Sequence, residues 1–571
     1  MIRINKLYSE PYSFEPIEFK KGINLILGEQ DDSSNKTNGV GKSLLVEFIN
    51  FGLMKDYNRS RLSKIPNTVF SDKTYVCLDF FINKNHIITK RSISEENTPT
   101  LFINGIKKNF TSIDDVNHFL TLLMFHDNKS NLHPTFRSML GPLIRDERSE
   151  FKSIIDCYDT KARIPPDFAP HLYLFGISLQ LYKKIKEINK SISELGIAKR
   201  KIKDDIEVIS GKKIANARAE VNDLDHQVKI IKQEMELLEG DKTFDFVRDE
   251  IVLYEDSLDN LRNKKAILKS ELNKIQALIG DNYIDEDEVI DLYNKLKAGL
   301  GDNIGKELKD VLGFKKKIDD FQRVLIDARK DSILSDLEKI EASISEISIK
   351  LNSKTAIIKQ NGHLRNIKTL FLAYEKKLEE LSQLSSFIKK FDDYESKAKA
   401  KKAEKATKVV ELDIDISLQE STISEFRNTI SAIHDYVMEN RKCSFSISAN
   451  EKSSVVDFDL RIFDDGSHSN EREKVFIYDM SLLLTHDTFV RHPKLLIHDN
   501  IFDVDRDTLI KSLNYISSKS SCLEDAQYIL TLNIDKLNEI GKDELKLDIK
   551  EYRRATLTKS HRFLGRQYQE K

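Results

Sequence analysis

Short apolar runs with the spacing of buried strands occur towards both ends of the chain. They cover residues 23–27, 75–81 and 86–90 towards one end and 444–448, 455–462, 494–497 and 527–531 towards the other. From about residue 172, just after the prolines at 165 and 166, the chain changes to good helix formers. The pattern predicts an α/β lobe over residues 1–168, a helical segment over 169–440 and a second α/β lobe over 441–571.

The helical segment carries a narrow apolar stripe with heptad spacing, which is typical of coiled coils. On the outgoing stretch its positions are Leu181, Ile185, Ile188, Ile192, Leu195, Ile202, Ile206 and Ile209. On the returning stretch they are Ile333, Leu337, Ile340, Ile344, Ile347, Leu351 and Ile358, and later Ile416, Ile423, Phe426, Ile430, Ile433 and Val437. Glycines near 280 and 299–301 interrupt the periodicity, so we expect the chain to reverse near 280–305.

The stripe also fits a helical bundle folded on itself or a coiled coil between two chains. A bundle usually needs an apolar face wider than two positions in seven, so the stripe favours an antiparallel hairpin. Closing such a hairpin brings the two ends of the chain together. One globular head can then be assembled from both α/β lobes.

Composition narrows the functional class. The chain has 571 residues, 32% of them charged, and a formal net charge of −2, which excludes a globally basic nucleic-acid binder. It begins without an apolar leader and has no apolar run long enough to span a bilayer, so we expect a soluble protein with no membrane partner. The four cysteines are far apart and form no CxxC pair, which fits a reducing cytoplasm.

The most informative motif is a glycine-rich loop at 38–43, which lies between a strand and an amphipathic helix. A P-loop needs glycines that turn backbone N–H groups towards phosphate, a lysine for the β- and γ-phosphates and a hydroxyl for Mg²⁺. The strict spacing is not met, because Lys36 stands where the first glycine is expected and a polar insertion at 29–37 follows Gly28. The residues expected to bind nucleotide here are Gly28, Asn38, Gly39, Gly41, Lys42 and Ser43.

These motifs resemble those of the SMC, RecN and RecF superfamily of ABC ATPases: the 38–43 loop, the apolar run ending at Asp499 and the coiled-coil hairpin between them. More narrowly, the polar insertion, His133–Arg137, the run 498–503 and Phe563–Gly565 resemble the SMC-like subunit of bacterial ABC three-component and Lamassu-type anti-phage systems. The resemblance implies an α/β ABC-type P-loop ATPase head built from N- and C-terminal lobes, with a long antiparallel coiled-coil insertion. It also implies ATP and Mg²⁺ as cofactors.

The resemblance assigns catalytic roles at the end of the 495–499 run. Asp499 is expected to hold Mg²⁺ together with Ser43. The next position, where the superfamily has a glutamate base, is Asn500, and an amide cannot accept the proton of the attacking water. Hydrolysis is therefore expected to be slow, unless another acid such as Asp503 serves. Asp503 or Asp505 also fits a structural role across a dimer interface.

Two further motifs of the superfamily are altered. The switch histidine is replaced by Leu532–Asn533, so Asn533 is a candidate for the γ-phosphate contact. The only glutamine in the N-terminal lobe is Gln30, so the usual Q-loop residue is missing. At the signature position, Ser469 is a candidate to cap the nucleotide of a second copy, but a serine there would be a good helix N-cap in any protein.

Two basic clusters are candidates for DNA contact through phosphate neutralisation. One comprises Lys397, Lys399, Lys401, Lys402, Lys405 and Lys408; the other comprises Arg553, Arg554, Lys559, Arg562 and Arg566. A lysine-rich helix is more often simply a solvated face. DNA is therefore a candidate partner that these basic clusters alone do not establish.

The resemblance predicts a head dimer that binds and slowly hydrolyses ATP, senses DNA ends or foreign DNA, and controls effector and accessory subunits encoded nearby. The chain shows no nuclease constellation of its own. A structural coiled-coil scaffold with a regulatory nucleotide site is an alternative. A DNA-repair ATPase with a zinc hook is disfavoured, because no CxxC occurs near 280–305.

Overall fold

The computed structural model forms two compact units. One comprises Met1–Ser191 and Lys401–Lys571, and the other comprises Ile192–Ala400. The structure describes residues 1–31, 39–93, 99–125, 132–162, 164–238, 245–281, 304–357, 364–462, 468–534 and 544–568.

Strands and helices alternate in the first unit, and helices make up the second. The described strands are β1 (Ile2–Glu10), β2 (Ile17–Glu18), β3 (Gly22–Gly28), β4 (Tyr75–Ile82), β5 (Asn85–Ser92), β6 (Thr100–Ile103), β7 (Ile106–Asn109), β8 (Ile144–Arg145), β9 (Ser444–Ala449), β10 (Val456–Arg461), β11 (Leu495–Asp499), β12 (Gln527–Asn533) and β13 (Arg553–Leu557). The described α-helices are α1 (Lys42–Gly52), α2 (Ile113–Phe125), α3 (Phe136–Leu140), α4 (Ala169–Phe175), α5 (Leu179–Ser210), α6 (Ile214–Leu238), α7 (Asp245–Asp281), α8 (Ile304–Ile357), α9 (Leu364–Leu418), α10 (Glu420–Met438), α11 (His468–Leu484), α12 (His486–Arg491), α13 (Arg506–Ser518), α14 (Ser520–Leu523) and α15 (Ile549–Tyr552).

A parallel sheet in the order β13-β3-β12-β11-β8 forms the centre of the first unit. It combines β3 and β8 from one end of the chain with β11, β12 and β13 from the other. The three inner strands β3, β12 and β11 are almost entirely buried, as expected for the apolar central strands of a covered parallel sheet. Since parallel strands share one carboxyl edge, the residues that follow these strands converge there.

An antiparallel sheet in the order β2-β1-β4-β5-β6-β7 supports helix α1. Thr89 Oγ1 donates a hydrogen bond to the carbonyl of Gly52 at 3.0 Å. The buried Arg91 donates from Nη1 to the carbonyls of Phe51 and Lys55, both at 2.7 Å. Arg91 therefore ties the last turn of α1 to the segment that follows the helix, and it places a positive charge at the C-terminal end of α1.

A buried polar network joins β8, β11, β12 and α11. Arg145 makes a bidentate contact with Asp479, with both N–O distances at 2.9 Å. His498 Nε2 lies 3.1 Å from the same carboxylate, and its Nδ1 lies 3.0 Å from the Tyr528 hydroxyl. Burial alone would raise the pKa of Asp479, but Arg145 and His498 hold it below its usual value. Breaking this network would leave a charge buried without its partner, which is costly.

The helices of the second unit pair in antiparallel fashion. Ion pairs join Lys199 to Glu395, Arg262 to Glu375, Lys265 to Glu341 and Glu271 to Arg329, so the partner's number falls as the first number rises. Apolar contacts follow the same order, with Ile206 near Leu384 and Leu258 near Leu351. This is the antiparallel pairing that the heptad pattern predicts. The expected reversal near 280–305 lies almost entirely outside the described residues.

The structure agrees with the predicted mixed α/β class. The first unit extends further along the helices, to Ser191 and from Lys401, than the predicted lobe boundaries at 168 and 441. The three-part division itself stays a prediction. In the described segments, no helix combines the length and apolar character needed to cross a membrane.

Candidate functional site

The glycine-rich loop leads directly into helix α1, at the carboxyl edge of the parallel sheet. Gly41 is the N-cap of α1 and adopts φ = 109°, a conformation that side chains other than glycine rarely adopt. A Cβ atom at Gly41 would lie 2.6 Å from the Cβ of Phe563. Gly39 also has a positive φ, of 77°. The loop thus presents the N–H groups at the start of α1, where an anion is favoured by both the helix dipole and the unpaired donors.

The lysine of the loop lies against the ends of β3 and β12. Lys42 Nζ donates a hydrogen bond to Asn533 Oδ1 at 2.5 Å. Gly28, at the end of β3, leaves room for this hydrogen bond because it has no side chain. A Cβ atom at this position would lie 2.6 Å from Lys42 Nζ and 3.1 Å from Asn533 Oδ1. The three residues predicted from separate parts of the sequence therefore meet at one point.

Asp499 lies at the end of β11, buried beside the loop. Thr531 Oγ1 donates to its Oδ1 atom at 2.8 Å. Burial raises the pKa of Asp499 to about 7; the nearby Ser43 hydroxyl and Thr531 favour the charged form, and Glu147 and Asp146 oppose it. Among the described residues, Oδ2 of Asp499 accepts no hydrogen bond although it is buried. A carboxylate oxygen in this state beside a serine hydroxyl fits Mg²⁺, which prefers oxygen ligands.

Asn500 adopts a left-handed conformation with φ = 57°. Its N–H donates to Thr531 Oγ1 at 2.9 Å, and its carbonyl accepts from Arg472 at 2.8 Å. Its side-chain amide donates from Nδ2 to Glu147 Oε1 at 2.5 Å. The backbone of Asn500 is therefore fixed by its neighbours, and its side chain is joined to an acid from the opposite end of the chain.

The two other acids near β11 occupy different places. Asp503 lines the same cavity as the glycine-rich loop. Asp505 is the N-cap of α13 and accepts a hydrogen bond from the N–H of Thr508 at 3.0 Å. A helix N-cap is a structural role within one chain.

The C-terminal segment Arg562–Tyr568 lies against the glycine-rich loop. The N–H of Phe563 donates to the carbonyl of Val40 at 3.1 Å, and Arg562 Nη1 donates to the carbonyl of Gly39 at 3.0 Å. The Phe563 ring packs between Phe14 and Phe48, with centroid distances of 4.7 and 5.1 Å. The loop and this segment together line a cavity of about 650 Å³.

This cavity is polar and carries both signs of charge. It is lined by Gly39, Val40, Gly41, Lys42, Ser43, Leu44, Arg61, Glu147, Asn500, Asp503, Arg562, Phe563, Leu564, Arg566, Gln567 and Tyr568. Its volume is within the usual range of small-molecule sites. Positive side chains next to a helix N-terminus are suited to a phosphate-bearing ligand.

Some predicted site residues are not placed at the cavity. Asn38 lies outside the described residues, and so does the side chain of Ser469, whose backbone belongs to the first turn of α11. Their roles remain predictions. Arg137 of the His133–Arg137 segment is half-buried and donates to Asn50 Oδ1 and to the carbonyl of Leu53, both at 2.9 Å.

Sequence reasoning did not identify Glu147 or the contact of the C-terminal segment with the loop. Glu147 follows the two-residue strand β8, which is too short to give a periodic signal. Arg562 and Arg566, which belong to a basic cluster that the sequence offers as a candidate DNA contact, both line this cavity, and their contact with DNA stays a prediction. The sequence signal for Glu147 is a short one: acids follow the run Leu143–Arg145. This run can be identified as the end of a strand only when the sheet is known.

Comparisons with known proteins give several matches. A family model described as "Uncharacterised protein conserved in bacteria (DUF2326)" matches residues 429–568. The chain is 24% identical over 578 residues to "Uncharacterized protein YydD" of Bacillus subtilis (strain 168), covering 92% of this chain and 91% of that protein.

Two solved structures also match. One is an Smc head domain with a coiled coil and joint from Pyrococcus yayanosii, with 15% identity, a TM-score of 0.33, and coverage of 94% of this chain and 93% of that one. The other is an Smc head domain with an extended coiled coil from Pyrococcus furiosus, bound to the C-terminal domain of ScpA. It has 11% identity, a TM-score of 0.31, and coverage of 94% and 91%.

Proposed function

We propose that the chain binds Mg-ATP in this cavity and hydrolyses it. The observation that carries the proposal is the convergence of Lys42, Ser43 and Asp499 at the carboxyl edge of one parallel sheet, beside a glycine loop that opens a helix. These are the groups that a P-loop site requires: backbone donors and a lysine for phosphates, and a hydroxyl and a carboxylate for the metal ion.

Each residue has a defined task in this proposal. The N–H groups following Gly39 and Gly41 and the Nζ atom of Lys42 bind the phosphates. Ser43 and Asp499 would hold Mg²⁺, which supplies positive charge that neutralises the phosphate oxygens. Asn533 directs Lys42, and its predicted contact with the γ-phosphate stays part of the proposal.

The finer proposal is an ATP-dependent dimer of heads that senses DNA and controls a partner effector in anti-phage or anti-plasmid defence. It rests on the resemblance of the motifs described above, with Ser469 capping the nucleotide of a second copy. The lysine run on α9 adds little support for the DNA contact in this proposal. Four of its lysines already pair with acids three or four residues away. These pairs are Lys397–Asp393, Lys399–Glu395, Lys401–Glu404 and Lys408–Glu411.

Release of phosphate from ATP, with and without Mg²⁺, tests the proposal. We expect Mg²⁺-dependent release by the parent chain and none above background from Asp499→Asn, which keeps the shape of the side chain but removes its negative charge. Asp505→Asn is the matched control, because Asp505 caps α13 and does not line the cavity. Equal rates for the parent and Asp499→Asn would refute the assignment of Asp499.

A further inference from the structure

An acid from the N-terminal part of the chain is brought to the position where the C-terminal part has only an amide. Strand β8 pairs in parallel with β11, with Ile144 opposite Ile497 and Arg145 opposite His498. Residues that follow the two strands therefore emerge side by side. Glu147 opens the short 3-10 turn Glu147–Ser149, one residue after the end of β8, and Asn500 directly follows β11.

The side chains of these two residues meet at the cavity. Asn500 Nδ2 donates to Glu147 Oε1 at 2.5 Å, and both residues line the cavity with the glycine-rich loop and Ser43. Thr531 and Arg472 hold the backbone of Asn500, which fixes the position from which its side-chain amide donates to the carboxylate. Glu147 is exposed, which lets its carboxylate face water at the mouth of the cavity.

We propose that Glu147 is the general base of ATP hydrolysis in this chain and that Asn500 positions it. The inference rests on the proposed function and extends it to the residue that accepts the proton. Asn500 cannot accept a proton from water at neutral pH, but its amide can orient the carboxylate that does. The acid missing after Asp499 is thus supplied by a different strand of the same sheet.

The reaction transfers the γ-phosphoryl group of ATP to water. The Glu147 carboxylate takes a proton from a water molecule while the water oxygen forms a bond to the γ-phosphorus of ATP. The bond between the γ-phosphorus and the β,γ-bridging oxygen breaks, and its electron pair stays with that oxygen as ADP leaves. The proton on Glu147 then passes to solvent, to which the side chain is open.

Other acids close to the site fit this task less well. Asp146 accepts a hydrogen bond from the N–H of Arg148 at 3.0 Å as the cap of the 3-10 turn, and it does not line the cavity. Glu150 is turned towards Thr160, whose Oγ1 donates to it at 3.1 Å. Asp503 lines the cavity, so it is the alternative candidate for the general base and is tested directly.

The test compares Glu147→Gln with Glu150→Gln, a matched change three residues away. For each variant, ATP affinity is measured by calorimetry and the rate of phosphate release at saturating ATP is measured separately. We expect Glu147→Gln to bind ATP within about threefold of the parent and to lose a factor of about 100 to 10,000 in rate. Glu150→Gln should retain both properties, and Asp503→Asn should lose much less of its rate than Glu147→Gln does.

The outcomes separate this inference from the proposed function. A parent that binds no ATP would overturn both. A parent that binds ATP without releasing phosphate, or a Glu147→Gln variant with an unchanged rate, would overturn the role of Glu147 and leave nucleotide binding intact. Loss of rate in Asp503→Asn with an active Glu147→Gln variant would assign the base to Asp503 instead.

Discussion

Lys42 Nζ donates a hydrogen bond to Asn533 Oδ1 across 491 residues of sequence. The contact joins the first turn of α1 to the end of β12, and Gly28 leaves room for it. It fixes the direction of a long, flexible side chain before any ligand arrives. A ligand that binds a lysine already held in place pays less conformational entropy.

Replacing Asn533 with alanine should therefore weaken ATP binding without unfolding the protein. A single hydrogen bond to a charged group contributes about 1.5–3 kcal/mol, so we expect a loss of about tenfold or more in affinity, measured by calorimetry. Asn450→Ala, in the turn between β9 and β10, is the control. Unchanged affinity in Asn533→Ala would show that Lys42 needs no such support.

Phe563→Ala should affect both stability and ligand binding. The ring is buried between Phe14 and Phe48, and its removal should lower the free energy of unfolding by about 3–5 kcal/mol. The ring anchors the segment whose backbone N–H donates to the carbonyl of Val40 in the loop, so its loss should loosen that contact and lower the ATP affinity of the folded variant as well.

The half-buried Phe110, which packs on Phe119 at a centroid distance of 5.4 Å, provides a control. Phe110→Ala should destabilise the protein without changing ATP affinity. If the folded Phe563→Ala variant binds ATP as well as the parent does, the C-terminal segment has no part in the site.

Glu473 gives a prediction about pH. Burial raises its pKa to about 8 from an ordinary value of 4.5, and the nearby Ser512 hydroxyl only partly offsets this. Between these two values the unfolded chain releases the proton and the folded protein keeps it. The contribution of protonated Glu473 to the free energy of unfolding is thus complete below about pH 4.5. It decreases by up to about 1.4 kcal/mol per pH unit and is lost as the pH rises through about 8.

Glu473→Gln should remove this dependence, since an amide of the same shape does not titrate. The free energy of unfolding of the variant relative to the parent should therefore increase between pH 6 and pH 8 in denaturant titrations. Glu524→Gln, at an exposed position, should show no such trend. A constant difference between Glu473→Gln and the parent over this range would mean that Glu473 is not protonated in the fold.

DNA binding, if it contributes to function, should weaken with salt according to the linear log–log relation of counterion release. Because Lys397 and Lys399 already pair with Asp393 and Glu395, Lys397→Gln and Lys399→Gln should leave the slope unchanged within error. Filter binding or fluorescence anisotropy at several salt concentrations measures the slope of log affinity against log salt concentration. A slope that falls by about one for each substitution would restore this lysine run as a DNA contact.

The parts of the structure that sequence predicts are those with local signals. The 38–43 loop, the apolar run that ends at Asp499 and the heptad stripe each show their pattern within a few dozen residues. The pairing of Glu147 with Asn500 depends instead on β8 lying next to β11, and β8 has only two residues. The contact of Phe563 with the loop likewise depends on the closure of the whole first unit.

The same distinction explains the missing catalytic acid. A search along the sequence looks for a base next to Asp499 and finds Asn500, which predicts a slow enzyme. The base proposed above, Glu147, follows a neighbouring strand, and the pairing of β8 with β11 brings it beside Asn500 although the two residues are far apart in sequence. Slow hydrolysis stays the prediction from Asn500, and the rate of the Glu147→Gln variant tests the proposed alternative.

The central claim is that ATP binds to the glycine-rich loop through Lys42, and calorimetric titration of ATP into the parent and into Lys42→Ala tests it most directly. Lys42 lines the cavity beside the glycine-rich loop and adds little apolar packing, so the variant should keep the circular dichroism spectrum of the parent. We expect saturable binding by the parent and no detectable binding by Lys42→Ala. Equal affinity in a folded Lys42→Ala variant would contradict the account.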